Sequence, residues 1–336
     1  MEVGVQEVPD SFPDVLRIEP VGKCNFKCIH CPTGVQPNNR ANLNNGQFNS
    51  IIDQCVASGF IPRVVVLYHG GEPLMSKNLA QYIRILKKMG VGKTVITTNA
   101  SLLSEERSEE LIMAGLDEMK ISFDGENANE NNIIRKNGNF YRDAANVKTL
   151  LKLRKKSGYN NPKVIISNIR ICDKNVLGMF KPKNGKRQLA FEDIPIYLTR
   201  YFKDECDEIE FRSFPAMIWP GYDQCEKFEE LSFPIKKPKY CNLLFETFTI
   251  FSNGNVVLCC NDLKGELILG NVFEANMFDI WRSRKYAELR ANFKKQVYHP
   301  LCSKCDITSP RYLCKKTQIR SAVLPVDKTK KGDVLC

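Results

Sequence analysis

The sequence predicts an α/β fold, because short runs of β-forming residues alternate with segments of helical periodicity over roughly its first two thirds. The alternation begins near residue 14, ends near residue 215 and contains six predicted strands. Strands separated in this way by helices indicate a parallel sheet with right-handed crossovers, either open or closed into a barrel. After residue 215 a proline-rich stretch leads into a cysteine-rich region, which predicts a second, smaller domain.

The strands are predicted from apolar and β-branched runs, and the helices from apolar residues at helical spacing. The predicted strands are 14–20, 64–68, 93–98, 118–123, 163–171 and 208–214. The predicted helices lie at 78–89, from 104 onwards, and near 142–157 and 191–205. In such a sheet the active site is expected at the carboxyl ends of the strands.

The composition indicates an intracellular protein that binds metal. The chain has 336 residues, enough for two medium domains or one large one, and its fourteen cysteines are too many for a typical metal-free cytosolic enzyme. The first residues lack the basic start and apolar core of a signal peptide, which argues against a secreted disulfide protein. No apolar run approaches the ~18 residues that span a bilayer. We therefore expect a cytoplasmic protein without a membrane partner.

The charge pattern leaves two interpretations open. The net charge is +11, with basic runs at 181–187 and 328–331. Such runs attract nucleic acid, nucleotides or phosphorylated substrates. A solvated loop and a basic tail explain them more simply, so nucleic acid is not the expected partner. The chain has only three histidines, which argues against a histidine-rich metal site.

Three cysteines near the N-terminus have a spacing that suits an iron–sulfur cluster. Cys24, Cys28 and Cys31 form a C-x3-C-x2-C run directly after the first predicted strand. Three thiolates on one loop can hold three irons of a [4Fe–4S] cluster and leave the fourth iron to a small-molecule ligand. The alternative is part of a zinc site or a chance grouping.

The run resembles the signature of the radical S-adenosylmethionine (SAM) superfamily, including His30 just before the third cysteine. This resemblance implies a partial (β/α)6 barrel. It also implies that the open iron chelates a SAM molecule. An electron from the cluster would then cleave this SAM. The resulting 5′-deoxyadenosyl radical would abstract a hydrogen atom from the substrate. A reductant such as flavodoxin or ferredoxin is the implied protein partner.

A glycine-rich turn follows the second predicted strand. In Gly70-Gly71-Glu72-Pro73 the glycines permit close backbone approach, and the glutamate offers its carboxylate or the adjacent carbonyl to an ammonium group. Placed about forty residues after the cysteine run, the turn resembles the GGE motif with which the family binds the SAM amino group.

Polar residues at the ends of strands three to five are further candidates for the SAM pocket. They are Asn99, Ser122, Asp124, Ser167 and Arg170. By resemblance Ser122 and Asp124 lie near the SAM ribose or the substrate, and Ser167 and Arg170 near the SAM carboxylate and hydroxyls. Side chains alternate along a strand, so only one face of strand five points inward. The alternative is that these residues only start turns or cap helices.

A second cysteine set lies in the C-terminal region. It consists of Cys241, Cys259, Cys302 and Cys305, and the first two bracket a predicted hairpin of 248–251 and 256–258. Four thiolates can bind either zinc or an iron–sulfur cluster, and their spacing does not separate the two.

This set resembles the SPASM/twitch extension of radical SAM enzymes, in the G-x4-C of Gly254 to Cys259, the Ile280-Trp281 pair and the final C-x2-C. Arg311 stands where the next cysteine of a full SPASM domain would fall. The resemblance therefore implies the shorter twitch form, with one auxiliary [4Fe–4S] cluster that four cysteines ligate fully. Cys260 is the alternative to Cys259 as a ligand.

These observations divide the chain into four parts: an N-terminal extension, the radical SAM barrel, the SPASM/twitch domain and a basic tail. Their predicted bounds are 1–13, 14–215, 216–314 and 315–336.

The leading hypothesis for the reaction is dehydrogenation of a sugar or aminocyclitol alcohol, since twitch enzymes of this size resemble such dehydrogenases and epimerases. Only 23 residues precede Cys24, which leaves no room for the leader-binding domain common in peptide-modifying relatives. Arg212 on strand six is a candidate substrate ligand or acid–base group. The first alternative is epimerisation or modification of a sugar or peptide, with Cys260 or Cys314 as hydrogen donor. The second is a zinc or nucleic-acid-binding module.

Overall fold

The fold was analysed in a computed structural model, which describes residues 11–35, 38, 40–178, 191–222 and 228–316. Both basic runs, 181–187 and 328–331, lie outside the described residues, as do Cys225 and Cys336. The predictions made for them stay predictions.

Within the described residues, nine strands form one sheet and two more form a small second sheet. The strands are β1 (Val15–Ile18), β2 (Val64–Val66), β3 (Lys93–Thr98), β4 (Glu118–Asp124), β5 (Lys163–Arg170), β6 (Ile209–Pro215), β7 (Glu229–Ser232), β8 (Thr247–Ile250), β9 (Asn255–Val257), β10 (Ile268–Asn271) and β11 (Arg311–Cys314). Strands β1 to β6 are adjacent in chain order, and all their pairings are parallel. The predicted α/β fold with a parallel sheet is confirmed.

The helices lie mainly between the parallel strands. They are α1 (Pro32–Val35), α2 (Asn45–Ala57), α3 (Leu79–Met89), α4 (Glu105–Ala114), α5 (Ala128–Ile134), α6 (Phe140–Lys156), α7 (Lys174–Gly178), α8 (Ile196–Tyr201), α9 (Asn242–Phe245), α10 (Met277–Arg282), α11 (Arg284–Lys294) and α12 (Pro300–Ser303). The predicted helix at 191–205 is wrong over its first residues. There Phe191 pairs with β6 through Ser213, and Pro195 delays the helix because the residue before a proline avoids helical geometry.

Alternation along the strands separates a helix-packed face from an inner face. Met119, Ile121 and Phe123 of β4 are buried in the main apolar core, together with residues of α4 and α6. The intervening residues, Lys120 and Ser122, therefore point to the other side of the sheet. This inner face holds the polar side chains.

The cysteine-rich region continues the main sheet. Strand β8 pairs in parallel with β1, and β8, β9 and β10 then follow in antiparallel order. Strands β8 and β9 are the predicted hairpin, and its turn contains Gly254 at a φ of +86°, which favours glycine. Because β8 is bonded to β1, the second cysteine set is fixed relative to the strand that precedes the first.

Strands β7 and β11 pair in antiparallel fashion beside this region. Among the described residues, no helix combines the length and the apolar character that crossing a membrane requires.

Candidate active site

The three N-terminal cysteines lie on a tight loop between β1 and α1. The amide of Cys31 donates to the carbonyl of Cys28 at 3.2 Å, and the amide of Gly34 donates to the carbonyl of Cys31 at 3.1 Å. A Cβ on Gly34 would lie 2.7 Å from the Cys28 nitrogen, so only glycine lets α1 pack this closely. Burial raises the pKa of Cys24 to about 11, with further contributions from the carboxylate of Glu72 and the thiol of Cys31.

The loop is also held from the other side. The amide of Lys27 donates to the carbonyl of Lys136 at 3.0 Å, and that of Ile29 donates to Ile134 at 3.0 Å. These bonds join the cysteine loop to the connection between α5 and α6, which keeps the spacing of the thiols fixed.

A buried cation lies close to the thiols. Burial raises the pKa of Cys28 to about 12, and Arg135 opposes this rise. Arg135 is held by Asp124, with 2.8 Å between Nη1 and Oδ2. A cationic group beside three thiols suits a thiolate-bound cluster, whose net charge is negative. The residues present therefore fit a [4Fe–4S] cluster.

Asp124 and His30 lie behind the cysteine loop. Asp124 is fully buried, and its Oδ2 lies 3.9 Å from Nε2 of the buried His30. The sequence places Asp124 near the SAM ribose, but its carboxylate turns to Arg135 instead. We therefore interpret both residues as positioning groups for the loop.

The Gly70-Gly71-Glu72-Pro73 turn packs against the backbone just before Cys24. A Cβ on Gly71 would lie 1.9 Å from the carbonyl oxygen of Val21, so this contact requires glycine. The amide of Glu72 donates to the carbonyl of Lys23 at 2.9 Å. The two predicted SAM motifs are thereby brought into direct contact.

Both carboxylate oxygens of Glu72 are already in use. Oε1 accepts from the hydroxyl of Thr98 at 2.6 Å and from the amide of Leu74 at 3.0 Å, and Oε2 accepts from the amide of Asn99 at 2.8 Å. The side chain thus ties the turn to the end of β3, with Pro73 starting a short 3₁₀ turn. Oε2 accepts only one hydrogen bond and keeps a lone pair, whereas the backbone carbonyl of Glu72 already accepts from the amide of Met75 at 3.1 Å.

Asn99 also contacts the cysteine loop. Its Nδ2 donates to Oδ1 of Asn25 at 2.9 Å and lies 4.0 Å from the sulfur of Cys24. The end of β3 therefore lies next to the cysteine loop.

Three of the predicted residues form a polar row on the inner face. Ser122, Ser167 and Arg212 are directly opposite one another across β4, β5 and β6. The Arg212 side chain is 43% exposed, and its Nη2 lies 2.5 Å from Oε1 of Glu210. Strand β6 is the sheet edge, so the row opens toward solvent there.

Arg170 is not part of this row. It lies three positions after Ser167, an odd number, so it points to the opposite face of β5. Its Nε contacts Glu126 at 2.6 Å, and its Nη1 contacts Asp193 at 3.1 Å. The guanidinium carbon also lies 4.2 Å from the ring centre of Phe191. Because Arg170 already contacts two carboxylates and this ring, its position argues against a role in SAM binding.

The four C-terminal cysteines border one largely apolar cavity. Cys241, Cys259, Cys302 and Cys305 all line it. Cys260 does not line the cavity, and its sulfur lies 3.8 Å from Oδ1 of Asn261. The geometry therefore favours Cys259 as the ligand from this pair.

The donor set of this cavity suits a polynuclear cluster. Burial raises the pKa of Cys302 to about 12, with a further contribution from Cys241. Asn261 donates from Nδ2 to the sulfur of Cys305 at 3.1 Å, a common contact around iron–sulfur clusters. In the described part of the chain, no three His, Cys, Asp or Glu side chains converge closely enough for a single metal ion.

Cys314 lies elsewhere. It is fully buried at the end of β11, in a small apolar cluster with Cys172 and Tyr312, and it does not line the four-cysteine cavity. Its position does not support the predicted role as hydrogen donor.

A buried ion pair that sequence analysis missed joins the two regions. Arg40 contacts Glu19 through two bonds of 2.8 and 2.9 Å. Glu19 also accepts from the amides of Gly70 and Ser252, both at 3.2 Å. The pair thus connects the glycine-rich turn to the hairpin of the second region. The sequence feature that could have predicted this ion pair is Glu19, an acidic residue directly after the buried strand β1.

Comparison with known families agrees with this geometry. The model of the radical SAM superfamily matches residues 18–170, and that of an iron–sulfur cluster-binding domain, SPASM, matches residues 241–306. The chain therefore contains a radical SAM domain followed by a C-terminal SPASM domain. Such proteins use SAM and a [4Fe–4S] cluster, and SPASM domains bind additional iron–sulfur clusters.

Individual relatives are distant. The tungsten-containing aldehyde ferredoxin oxidoreductase cofactor-modifying protein of Pyrococcus furiosus is 24% identical over 90% of each chain. The Fe-coproporphyrin III synthase of Methanosarcina barkeri is 32% identical over 31% of this chain and 25% of its own. Several curated relatives, including that synthase, are matched over only a quarter to two fifths of their length.

Among solved structures, BtrN in complex with AdoMet and 2-DOIA shares the fold. Its TM-score is 0.54 at 16% identity, and the match covers 89% of this chain and 92% of BtrN.

Proposed function

We propose that this protein is a radical SAM oxidoreductase that dehydrogenates an alcohol of a small polar substrate, namely a sugar or an aminocyclitol. The observation that carries the proposal is the four-cysteine cavity. A cluster with four thiolate ligands has no open iron for substrate and is suited to electron transfer. An alcohol oxidation that starts with hydrogen abstraction needs such an electron acceptor.

In this proposal Cys24, Cys28 and Cys31 hold the cluster that binds SAM, and the four C-terminal cysteines hold the auxiliary cluster. When bound, these groups supply hydrogen abstraction at the first site and electron transfer at the second. The alcohol loses one hydrogen atom, then a proton and an electron, and becomes a ketone.

The chain's own residues would orient SAM and substrate. The glycine-rich turn presents backbone groups beside the cysteine loop, and Glu72 fixes that turn to β3. Ser122 and Ser167 place hydroxyl groups on the inner face, and Arg212 stands next to them at the open edge. Hydroxyl and guanidinium groups of this kind bind the hydroxyls of a carbohydrate-like molecule.

The likeness to BtrN gives this proposal further support, because it extends over nearly all of both chains. That structure contains AdoMet and 2-DOIA. The likeness concerns the fold, so the substrate class stays part of the proposal.

The test is anaerobic turnover of the reconstituted enzyme with SAM, a reductant and a panel of aminocyclitols and sugars. We expect 5′-deoxyadenosine and a ketone two mass units lighter than the substrate, formed in equal amounts. A product of unchanged mass that carries solvent deuterium on carbon would contradict dehydrogenation.

Epimerisation is the second candidate, and the position of Cys260 favours it. Cys260 is partly exposed, lies outside the cavity, and is close enough to Arg17 to affect the pKa of that guanidinium. A thiol near the barrel interior can return a hydrogen atom to a substrate radical. If this reaction is correct, Cys260→Ala abolishes deuterium incorporation at carbon but still forms 5′-deoxyadenosine. Cys55→Ala, which alters a buried thiol of α2, is the matched control.

A further inference from the structure

Arg17 is a buried cation on the inner face of the barrel. It lies in the middle of β1 and is 8% exposed. Its neighbours Leu16 and Ile18 are fully buried in the main core, so Arg17 points to the opposite side. None of the superfamily motifs identified above includes this residue.

The guanidinium of Arg17 has few partners. Nη1 donates to the backbone carbonyl of Tyr68 at 3.3 Å, and the group lies 4.8 Å from the Tyr68 ring centre. Nε is buried without a hydrogen-bond partner. Among the described residues, no carboxylate lies within ion-pair distance of it.

Other buried arginines show how unusual this is. Arg40 and Arg135 each contact a buried carboxylate at 2.8 Å, that of Glu19 and that of Asp124 respectively. Arg290 has no carboxylate, but it stacks on Trp281 and Tyr286 in the region of α10 and α11. Since burying a charge without a counter-ion is costly, Arg17 is suited to an anion that binds later.

A further donor lies beside Arg17. Thr249 lies directly opposite it across β1 and β8, is fully buried, and has no partner for its hydroxyl. Lys120 on the inner face of β4 has a counter-ion, because its ammonium lies 3.5 Å from the carboxylate of Glu118. Arg17 therefore differs from Lys120 in having no carboxylate partner among the described residues, and the Thr249 hydroxyl group lies beside it.

We propose that Arg17, with Thr249, binds an anionic group of the substrate, namely a carboxylate or a phosphate. This inference deepens the proposed function, on which it rests, by assigning the substrate to the acidic or phosphorylated members of its class. A guanidinium is well matched to both groups, because its planar N–H donors pair with two oxygens.

A competing explanation is that Arg17 only offsets the charge of the auxiliary cluster. Cys259 and Cys260 both lie close enough to affect the pKa of Arg17. The two explanations differ in what removal of the guanidinium changes: anion binding in the first, and only the reduction potential of the auxiliary cluster in the second.

The experiment is thermal unfolding of the anaerobic holoenzyme with saturating SAM, in sodium phosphate or sodium acetate, against sodium chloride of equal ionic strength. We expect at least one oxyanion to raise the Tm of the wild type above its value in chloride. The anion that does so distinguishes phosphate from carboxylate. Arg17→Gln should weaken the apparent affinity roughly tenfold or more, and Arg17→Lys should weaken it less.

Thr249→Val provides a second variant that keeps the buried charge, and it should weaken the same affinity by a smaller factor. Arg284→Gln is the matched control, because Arg284 is an exposed arginine of α11, and it should respond like the wild type. The proposal is overturned if neither oxyanion shifts the wild-type Tm beyond chloride. It is equally overturned if Arg17→Gln responds like the wild type while the auxiliary cluster potential moves. Because no turnover is needed, failure of the dehydrogenase proposal would not alter these readings.

Discussion

The two cysteine regions differ in the number of thiols and in how each is held. The N-terminal region offers three cysteines on one loop, and backbone contacts from the glycine-rich turn and from residues 134–136 fix that loop. The C-terminal region offers four cysteines from three separate segments, gathered around one cavity. The comparison suggests that an incomplete set beside a ligand-binding turn serves chemistry, whereas a complete set serves electron transfer.

Their electrostatic surroundings differ as well. The N-terminal thiols face the buried Arg135, which opposes the rise that burial causes in the pKa of Cys28. In the C-terminal set, burial raises the pKa of Cys305, and the adjacent Asp306 raises it further. Each set thus has its own charged neighbours: Arg135 beside the N-terminal thiols, and Asp306 and Arg17 beside the C-terminal ones.

The largest expected effect comes from the N-terminal set. Cys28→Ala should remove ~4 irons per chain and abolish cleavage of SAM, because the cluster loses one of only three ligands. Iron analysis and 5′-deoxyadenosine formation measure this. The control variant Cys55→Ala, which changes a buried thiol, should keep its iron content and its formation of 5′-deoxyadenosine. Cleavage of SAM by Cys28→Ala would contradict the difference between the two cysteine sets.

The same change in the C-terminal set should separate the two roles. Cys302→Ala should also remove ~4 irons per chain, yet leave SAM cleavage measurable while ketone formation falls below detection. Chromatographic analysis of 5′-deoxyadenosine and ketone in one reaction gives both values. Full ketone yield in this variant would show that the auxiliary cluster is not the electron acceptor.

A glycine substitution tests the contact that makes the first region a binding site. Gly71→Ala places a Cβ 1.9 Å from the Val21 carbonyl, so it should cost about 3 kcal/mol in the free energy of unfolding and weaken SAM binding. Gly46→Ala in α2 meets no atom closer than 3.4 Å and should be neutral or stabilising by about 0.5–1 kcal/mol. Denaturant titration compares the two, and equal stabilities would contradict the account.

The smallest effect on stability is expected at the open edge. Arg212→Gln breaks an exposed ion pair with Glu210, which contributes only about 0–1 kcal/mol. The rate of ketone formation should nevertheless fall. The increase in KM should be larger than the decrease in kcat. Lys163→Gln removes the other basic partner of Glu210 and is the control. A parallel loss of activity in both variants would indicate a structural role for the edge.

The local sequence predicts much of this molecule. The strand at 93–98 is found as β3 with the same bounds, and the helix near 142–157 is found as α6, because alternation and helical spacing are local properties. Cysteine spacing and the glycine-rich turn also identify the family, since a cluster and a tight backbone contact restrict nearby residues.

The remaining features depend on contacts between distant residues. The pairing of β8 with β1 joins segments more than two hundred residues apart, and no local pattern records it. Nor does the sequence reveal that Asp124 turns to Arg135, or that Glu72 is occupied by β3. These orientations depend on which partners the fold brings within hydrogen-bond distance. The burial of Arg17 beside Tyr68 and Thr249 likewise depends on contacts between distant residues.

The central claim is that the N-terminal cluster alone has an open iron. Electron paramagnetic resonance of the reduced Cys28→Ala and Cys302→Ala variants, each with and without SAM, tests it most directly. We predict that SAM changes the cluster signal of Cys302→Ala and leaves that of Cys28→Ala unaltered. A SAM-dependent change in Cys28→Ala, or none in Cys302→Ala, would contradict the account.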